Sequence, residues 1–433
     1  MTTAQLPTTG QAWPWQGKSQ AIASLALFLF GLCAVSMPSG MLPFGALLLG
    51  TSVATARSLW RIAPPQRRAL RWTLWLSVAV VVLALFSSWR WDLGLHVVEK
   101  RTRFLALPWA ALWACALAPD PRWLWRGAVA GIWAALGVAL VQVLALGMPR
   151  ADGWNNAIVF ADVTVGLAVL AALLVADAPR IRLATLIAAL ATIVLSGSRG
   201  ALPAMALLLV VMVCTAPWRT LAVRLGLLVG AVALATALLV GVPDLARQAR
   251  ITELRQDMSR LERGDDNSST GARLERLQVA GRTVLDHPLT GVGIGQFDSA
   301  MQRYVPECRL PQVARCHLGH AHNDLAEWGA TQGLPGAALL VLVYAVPLVW
   351  FLRAWRRGPW RGFRGTAPAG LMLVAVFALC GLTQSMFAHQ LAASFYSVAV
   401  GVLAGLSLQA MQRAALTRAP GRTPAGRAGA ATA

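Results

Sequence analysis

Charge is scarce in this sequence. Only 13% of its 433 residues are charged, and 18 of them are acidic. Lysine is nearly absent: Lys18 and Lys100 stand against 36 arginines. A soluble domain carries about 25% charged residues, so this balance excludes a soluble globular enzyme and a disordered chain. Six cysteines are too few for a disulfide-dense secreted module, and their spacing is not that of a zinc ribbon. No Asp-x-Asp pair occurs, so nothing supports a divalent metal bound to a sugar nucleotide. No Gly-x-x-x-x-Gly-Lys-Ser/Thr loop occurs, so ATP-driven transport has no phosphate cradle. Acids in the apolar runs stand only at the edges of one, as Asp162 and Asp177, which leaves proton-coupled transport little support.

Apolar length is abundant instead. Hydrophobic residues make up 57% of the chain. Runs bounded by charge, Pro or Gly fall near 21–37, 41–56, 72–88, 104–119, 127–147, 160–177, 181–196, 201–216, 224–242, 335–353, 368–386 and 391–411. One span needs about 20 apolar residues. The pattern therefore predicts an all-α polytopic membrane protein of about twelve transmembrane helices in a phospholipid bilayer. Several runs are short enough for one pair to be re-entrant. The polar stretch Met1–Gln20 leads directly into the first run, which reads as a retained span.

The net charge of +20 would favour nucleic acid in a soluble protein. Here the charges lie between apolar runs, where they report topology, and no nucleic-acid partner is expected. The even-numbered connections and both tails hold 21 Lys and Arg, against 6 in the odd-numbered short connections. Positive residues stay inside, so both termini are expected in the cytoplasm. The organisation predicted is an N-terminal bundle of about nine spans (1–242), a long outer loop (243–334), three C-terminal spans (335–411) and a basic cytoplasmic tail (412–433).

A loop this long in a compact protein is usually functional. Residues 243–264 have helical spacing, Asp265–Ser269 reads as a break, and a second helix is predicted from Gly271 to Asp286. Cys308 and Cys316 follow, and two nearby thiols outside the cytoplasm usually pair. Cys33, Cys115, Cys214 and Cys380 lie within runs and read as packing residues.

The short outer connections have few arginines. Arg199, in the turn Ser196-Gly197-Ser198-Arg199-Gly200, reads either as an interfacial side chain snorkelling to lipid phosphate or as an anion ligand. Arg150 pairs with Asp152 or joins the same anion site. Arg273, Arg276 and Arg282 share the second loop helix, as a solvated face or a phosphate-binding one. His317, His320 and His322 crowd Cys316–Asp324. They match no standard zinc pattern, and no metal is expected. Asn323 or Asp324 caps the next helix, and Asp324 with Glu327 has capping-box spacing. His322 would then sit at a helix N-terminus, where the dipole disfavours imidazolium and leaves the neutral ring a general base requires. A His that merely bonds backbone is the alternative. His320 competes as base, although residues two apart on a helix face away from each other. Gly333-Leu334-Pro335-Gly336 is expected to break the helix just before the tenth span.

These residues resemble a known family. His322-Asn323, nine residues, then Gly333-x-x-Gly336 is similar to the pattern of O-antigen ligases. The Ser-x-Ser-Arg turn at Arg199, the stretch from Arg273 to Phe297 and the outer turn Arg150–Phe160 resemble the same superfamily, which also holds O-antigen polymerases and protein O-oligosaccharyltransferases. The resemblance implies a GT-C-type glycosyltransferase of the bacterial inner membrane with its active site in the periplasm. It would move O-antigen from undecaprenyl pyrophosphate to a sugar hydroxyl of lipid A–core, with no cofactor and no metal. His322 would be catalytic. Arg199, Arg273, Arg150 and Arg282 would hold the pyrophosphate, with His320, Asn323, Gly333 and Gly336 in support. The polymerase is the nearest alternative. The short tail after Met411 argues against the protein oligosaccharyltransferase.

Overall fold

A computed structural model describes residues 16–175, 178–215, 269–310, 313 and 316–418. All regular structure among these residues is helical. The helices are α1 (Gln16–Cys33), α2 (Leu42–Ala54), α3 (Ala56–Trp60), α4 (Pro64–Arg90), α5 (Glu99–Thr102), α6 (Ala106–Leu117), α7 (Pro121–Leu140), α8 (Ala157–Leu173), α9 (Pro179–Leu195), α10 (Leu202–Thr215), α11 (Ser269–Asp286), α12 (Phe297–Tyr304), α13 (Asp324–Arg357), α14 (Thr366–Gly381) and α15 (Gln390–Arg418). The predicted ninth span and the helical stretch 243–264 lie outside the described residues.

Four stretches are long and apolar enough to cross a bilayer: Pro64–Arg90, Pro121–Ala145, Asp324–Arg357 and Gln390–Thr417. Shorter apolar helices surround them. This is the architecture of a multi-pass membrane protein. Eleven of the twelve apolar runs coincide with described helices, but not all of these span alone. The 13 residues of α2 reach only about 20 Å at 1.5 Å each, short of the roughly 30 Å hydrocarbon core. Thr51 and Thr55 turn their hydroxyls back to the Leu47 and Thr51 carbonyls, a bond that competes with the helix ladder.

Small residues bring the helices together, as expected where lipid offers no hydrophobic drive. A Cβ at Gly401 or Gly405 of α15 would strike the Leu107 or Ala111 carbonyl of α6. Central α8 is buried on every face: nearly all of Ala157–Leu173 is out of solvent and lipid.

The segment 288–334 is fastened by one backbone lock. Gly333 breaks α13 at φ 69°, ψ −165°, a region only glycine adopts freely. The sequence gives a reason. In an unbroken helix the Thr331 carbonyl would accept from residue 335, but that residue is proline and has no N–H. The Thr331 carbonyl accepts instead from Gly293 N (2.9 Å), and the Ala330 carbonyl from Val292 N (2.9 Å). Leu334 N donates to the Pro288 carbonyl at 2.7 Å. The chain bends at Gly291 (φ 58°), Gly293 and Gly295 to meet the break. A Cβ at Gly291 would collide with the Ala330–Gln332 backbone, and one at Gly333 would lie 2.5 Å from the Pro288 carbonyl oxygen. Ile294 then plugs against Ala84 of α4 and Val98. Cys308 and Cys316 form a disulfide with Cα atoms 5.2 Å apart, closing the small core of Phe297, Met301 and Ala321.

Gly333→Ala is expected to lower the thermal unfolding midpoint in detergent. The backbone strain alone costs about 1–3 kcal/mol. An unchanged midpoint would show that the break tolerates a side chain.

Candidate functional site

The candidate site lies where the segment 316–324 meets the turn between α14 and α15. His322 carries the unusual backbone. Its φ is 55°, a left-handed value uncommon for a residue with a side chain. Asn323 then caps α13: its Oδ1 accepts from Ala326 N at 3.0 Å, and its Nδ2 donates to the Leu382 carbonyl at 2.9 Å. Asp324 and Glu327 do not make the capping box that their spacing suggested. Glu327 Oε2 accepts from Ala321 N at 2.7 Å, so it grips the bend before the cap. Asp324 accepts from the Tyr344 hydroxyl at 2.9 Å and from Phe387 N at 3.2 Å.

His320 and His322 do not face apart. Gly319 (φ 73°) and His322 both adopt left-handed backbone, so the segment is no helix, and the ring centroids lie 4.4 Å apart. His389 joins them, its ring 5.1 Å from that of His320. His322 Nδ1 is 2.8 Å from Gln384 Oε1, and Gln384 Nε2 is 3.2 Å from His389 Nε2. His317 is exposed and turns to the Leu310 carbonyl, and Cys316 is oxidised. Among the described residues no group of three His, Cys, Asp or Glu is arranged to hold a metal ion.

The electrostatics are those of a neutral cluster beside fixed cations. Burial first, then the His320 ring and the Arg273 guanidinium, push His322 down to about 3 from 6.5. His389 falls to about 4 through burial and then His320. Burial and then Arg276 lower His320 as well. The sequence predicted a neutral His322 from the helix dipole. The neutral ring is there, but burial is its leading cause.

Arg273 is half-buried on α11 and close enough to act on His322. Arg276 is fully buried, and its Nε donates to the His320 carbonyl at 3.2 Å. Arg282 is exposed. Nine residues from Arg273 put it half a turn around the helix, so the structure separates it from the other arginines. Arg199 opens a single 3-10 turn, Arg199–Ala201, before α10. It lines a shallow, open depression with Gly197, Ser198 and Leu202. The Gly200 carbonyl accepts from Thr383 Oγ1 at 3.4 Å, which docks the Arg199 turn on the residue before Gln384. Arg150 Nε donates to the Ser196 carbonyl at 2.8 Å, clipping its own turn to that of Arg199. Asp152 accepts from Gln142 Nε2 at 3.0 Å.

Residues 183–341 match the family model Wzy_C, described as O-antigen ligase. The match takes in Arg199, Arg273, His322, Gly333 and Gly336, and stops short of Gln384 and His389. A similar relative is an uncharacterized protein of Haemophilus influenzae, 24% identical over 127 residues, or 29% of this chain. The aligned part spans about a third (32%) of that relative. The segment 183–341 is thus similar to the O-antigen ligase family.

Sequence reasoning missed four residues here. Gln384 was hidden because the run 368–386 reads as one span, whereas α14 ends at Gly381; His389 lies in the short connection after that run. The polar string Thr383-Gln384-Ser385 was the available signal. Arg276 was noted only as part of a charged face. Arg101 was counted for topology alone. It is buried, donates to the Phe387 carbonyl at 2.8 Å and lies 4.0 Å over the Trp328 ring. Burial lowers it to about 10 against the pull of Glu327 and Asp324, so it stays a cation at neutral pH.

The histidines predict acid sensitivity. An unfolded His takes a proton near 6.5, whereas folded His322 waits until about 3. Between those values the unfolded chain binds more protons, so stability falls as pH falls. Thermal midpoints measured from pH 7.5 to 4 are expected to drop on acidification, and less steeply in His322→Gln. An equal slope in both proteins would contradict the shifted His322.

Proposed function

We propose that the protein transfers O-antigen from undecaprenyl pyrophosphate to a sugar hydroxyl of lipid A–core, at the periplasmic face of the bacterial inner membrane. The observation that carries this reading is a neutral His322 held at a strained bend within reach of the Arg273 field. The Lys and Arg asymmetry supports a site on the outer side. The domain division drawn from the sequence is kept in this reading, with 243–334 as the catalytic loop between two membrane bundles.

Diphosphate is a good leaving group, so the reaction has two needs. One is a base for the acceptor hydroxyl. The other is positive charge where the diphosphate departs. His322 is the base. Its lone pair takes the acceptor proton while the acceptor oxygen bonds to the anomeric carbon. The bond from that carbon to the phosphate oxygen breaks, and the diphosphate leaves with the electron pair. Arg199 and Arg273 stabilise that charge, with Arg150 behind the Arg199 turn. Arg282, exposed on the far side of α11, is left out of the set. Donor binding also tunes the base: a diphosphate against Arg273 cancels part of the field that holds His322 low. A single displacement inverts the anomeric carbon, and no nucleotide or metal enters.

The test is ligation by purified protein from undecaprenyl-pyrophosphate-linked O-antigen to lipid A–core, with EDTA and without nucleotide. Wild type is expected to cap lipid A–core with inverted linkages. His322→Ala is expected to lose about 10²–10⁴ in rate. Longer lipid-linked chains with no capping would make the protein a polymerase. Undiminished ligation by His322→Ala would move the base elsewhere, to His320 first.

A further inference from the structure

Gln384 is fully buried, and each polar atom of its amide is engaged. Ser385 N lies 3.1 Å from one of them. A backbone N–H only donates, so that atom is the oxygen, and the orientation of the amide follows from this contact rather than from electron count. The same oxygen lies 2.8 Å from His322 Nδ1. Two acceptors cannot share a hydrogen bond, so Nδ1 carries the proton. The amide nitrogen, now fixed as donor, points at His389 Nε2, 3.2 Å away. That ring nitrogen accepts, which requires His389 to be neutral.

We propose that Gln384 is a positioning residue for the transfer reaction: it locks His322 as the Nδ1–H tautomer and leaves Nε2 as the one ring nitrogen able to accept a proton. The inference rests on the reading of His322 as base and adds which nitrogen acts and what holds it. His389 completes the device by keeping the Gln384 amide from turning over. The loop that carries both residues is itself pinned on either side of Gln384. Asn323 N donates to Ser385 Oγ at 3.2 Å, and Thr383 bonds the Gly200 carbonyl. The tautomer lock therefore sits between the His322 bend and the Arg199 turn, so the base and the leaving-group side share one support. Fixing a ring through its second nitrogen is a general way to set which nitrogen reacts, and a wrong tautomer is costly even when geometry survives.

The test uses full-length protein in detergent with ring-15N-labelled histidine. The His322 signals are those missing from His322→Ala. At pH 7.5 wild type is expected to show protonated Nδ1 and bare Nε2. In Gln384→Ala the ring is expected to shift toward Nε2–H, the form that imidazole prefers in water. In the ligation assay kcat of that variant is expected to fall about 10- to 100-fold, with KM within about threefold. Gln384→Glu keeps an acceptor opposite Nδ1, so it is expected to hold the wild-type tautomer and recover most of kcat. An unchanged His322 tautomer in Gln384→Ala would overturn the proposal. A shifted tautomer with full kcat would overturn it too, as would a Glu variant that keeps the tautomer yet stays as slow as the Ala variant. Full activity of His322→Ala would instead sink the reading of His322 as base, and the tautomer measurement would still report separately on Gln384.

Discussion

Three backbone hydrogen bonds decide where the candidate site sits. Proline at 335 removes a donor, glycine at 333 breaks the helix, and the carbonyls of Ala330 and Thr331 turn to the amides of Val292 and Gly293. Leu334 N returns the bond to Pro288. Buried backbone groups must be paired, and near lipid an unpaired one costs more still. The lock therefore holds the segment 288–293 against α13 without side chains. Everything N-terminal to the break in α13, from the Asn323 cap to the His322 bend, inherits its position from it. The glycine spacing of the motif is the record of that constraint.

On this frame rests an electrostatic arrangement with one theme. Three imidazoles are kept neutral by burial, and cations stand close by without protonating them. Arg276 bonds the His320 carbonyl. Arg101 sits under Phe387 and over Trp328, where its charge offsets Glu327, the residue that ties the bend at Ala321. Removing one partner of such a buried set leaves the other uncompensated. The cations that add to burial in keeping His320 and His322 neutral are, in the proposed reaction, the field a diphosphate meets.

Much of this was legible in the sequence. The His322, Gly333 and Pro335 signals carry physical meaning at their spacing: a base candidate, a break and a missing donor. The arginine-bearing turns at 150 and 199 stood out because the odd-numbered short connections have few arginines, and the structure clips them together. Other features were not legible. Periodicity cannot see the left-handed bends at Gly319 and His322, so two rings predicted to face apart lie together. A hydropathy run does not show where a helix stops, so Gln384 was absorbed into a span that ends at Gly381. One arginine face on α11 could not be divided by composition. Only the helix's placement separates buried Arg276 from exposed Arg282.

The central claim is that a neutral, half-buried His322 acts as base beside cations. The pH dependence of kcat/KM for consumption of the lipid-linked donor tests it most directly, because that ratio reports the free enzyme's ionisations. With His322 held at about 3, the profile is expected to run flat from pH 8 through 6.5 and to fall only in strong acid. A one-proton fall centred near 6.5, absent from the residual activity of His322→Ala, would contradict the account: it would show an ordinary, solvated imidazole at this position.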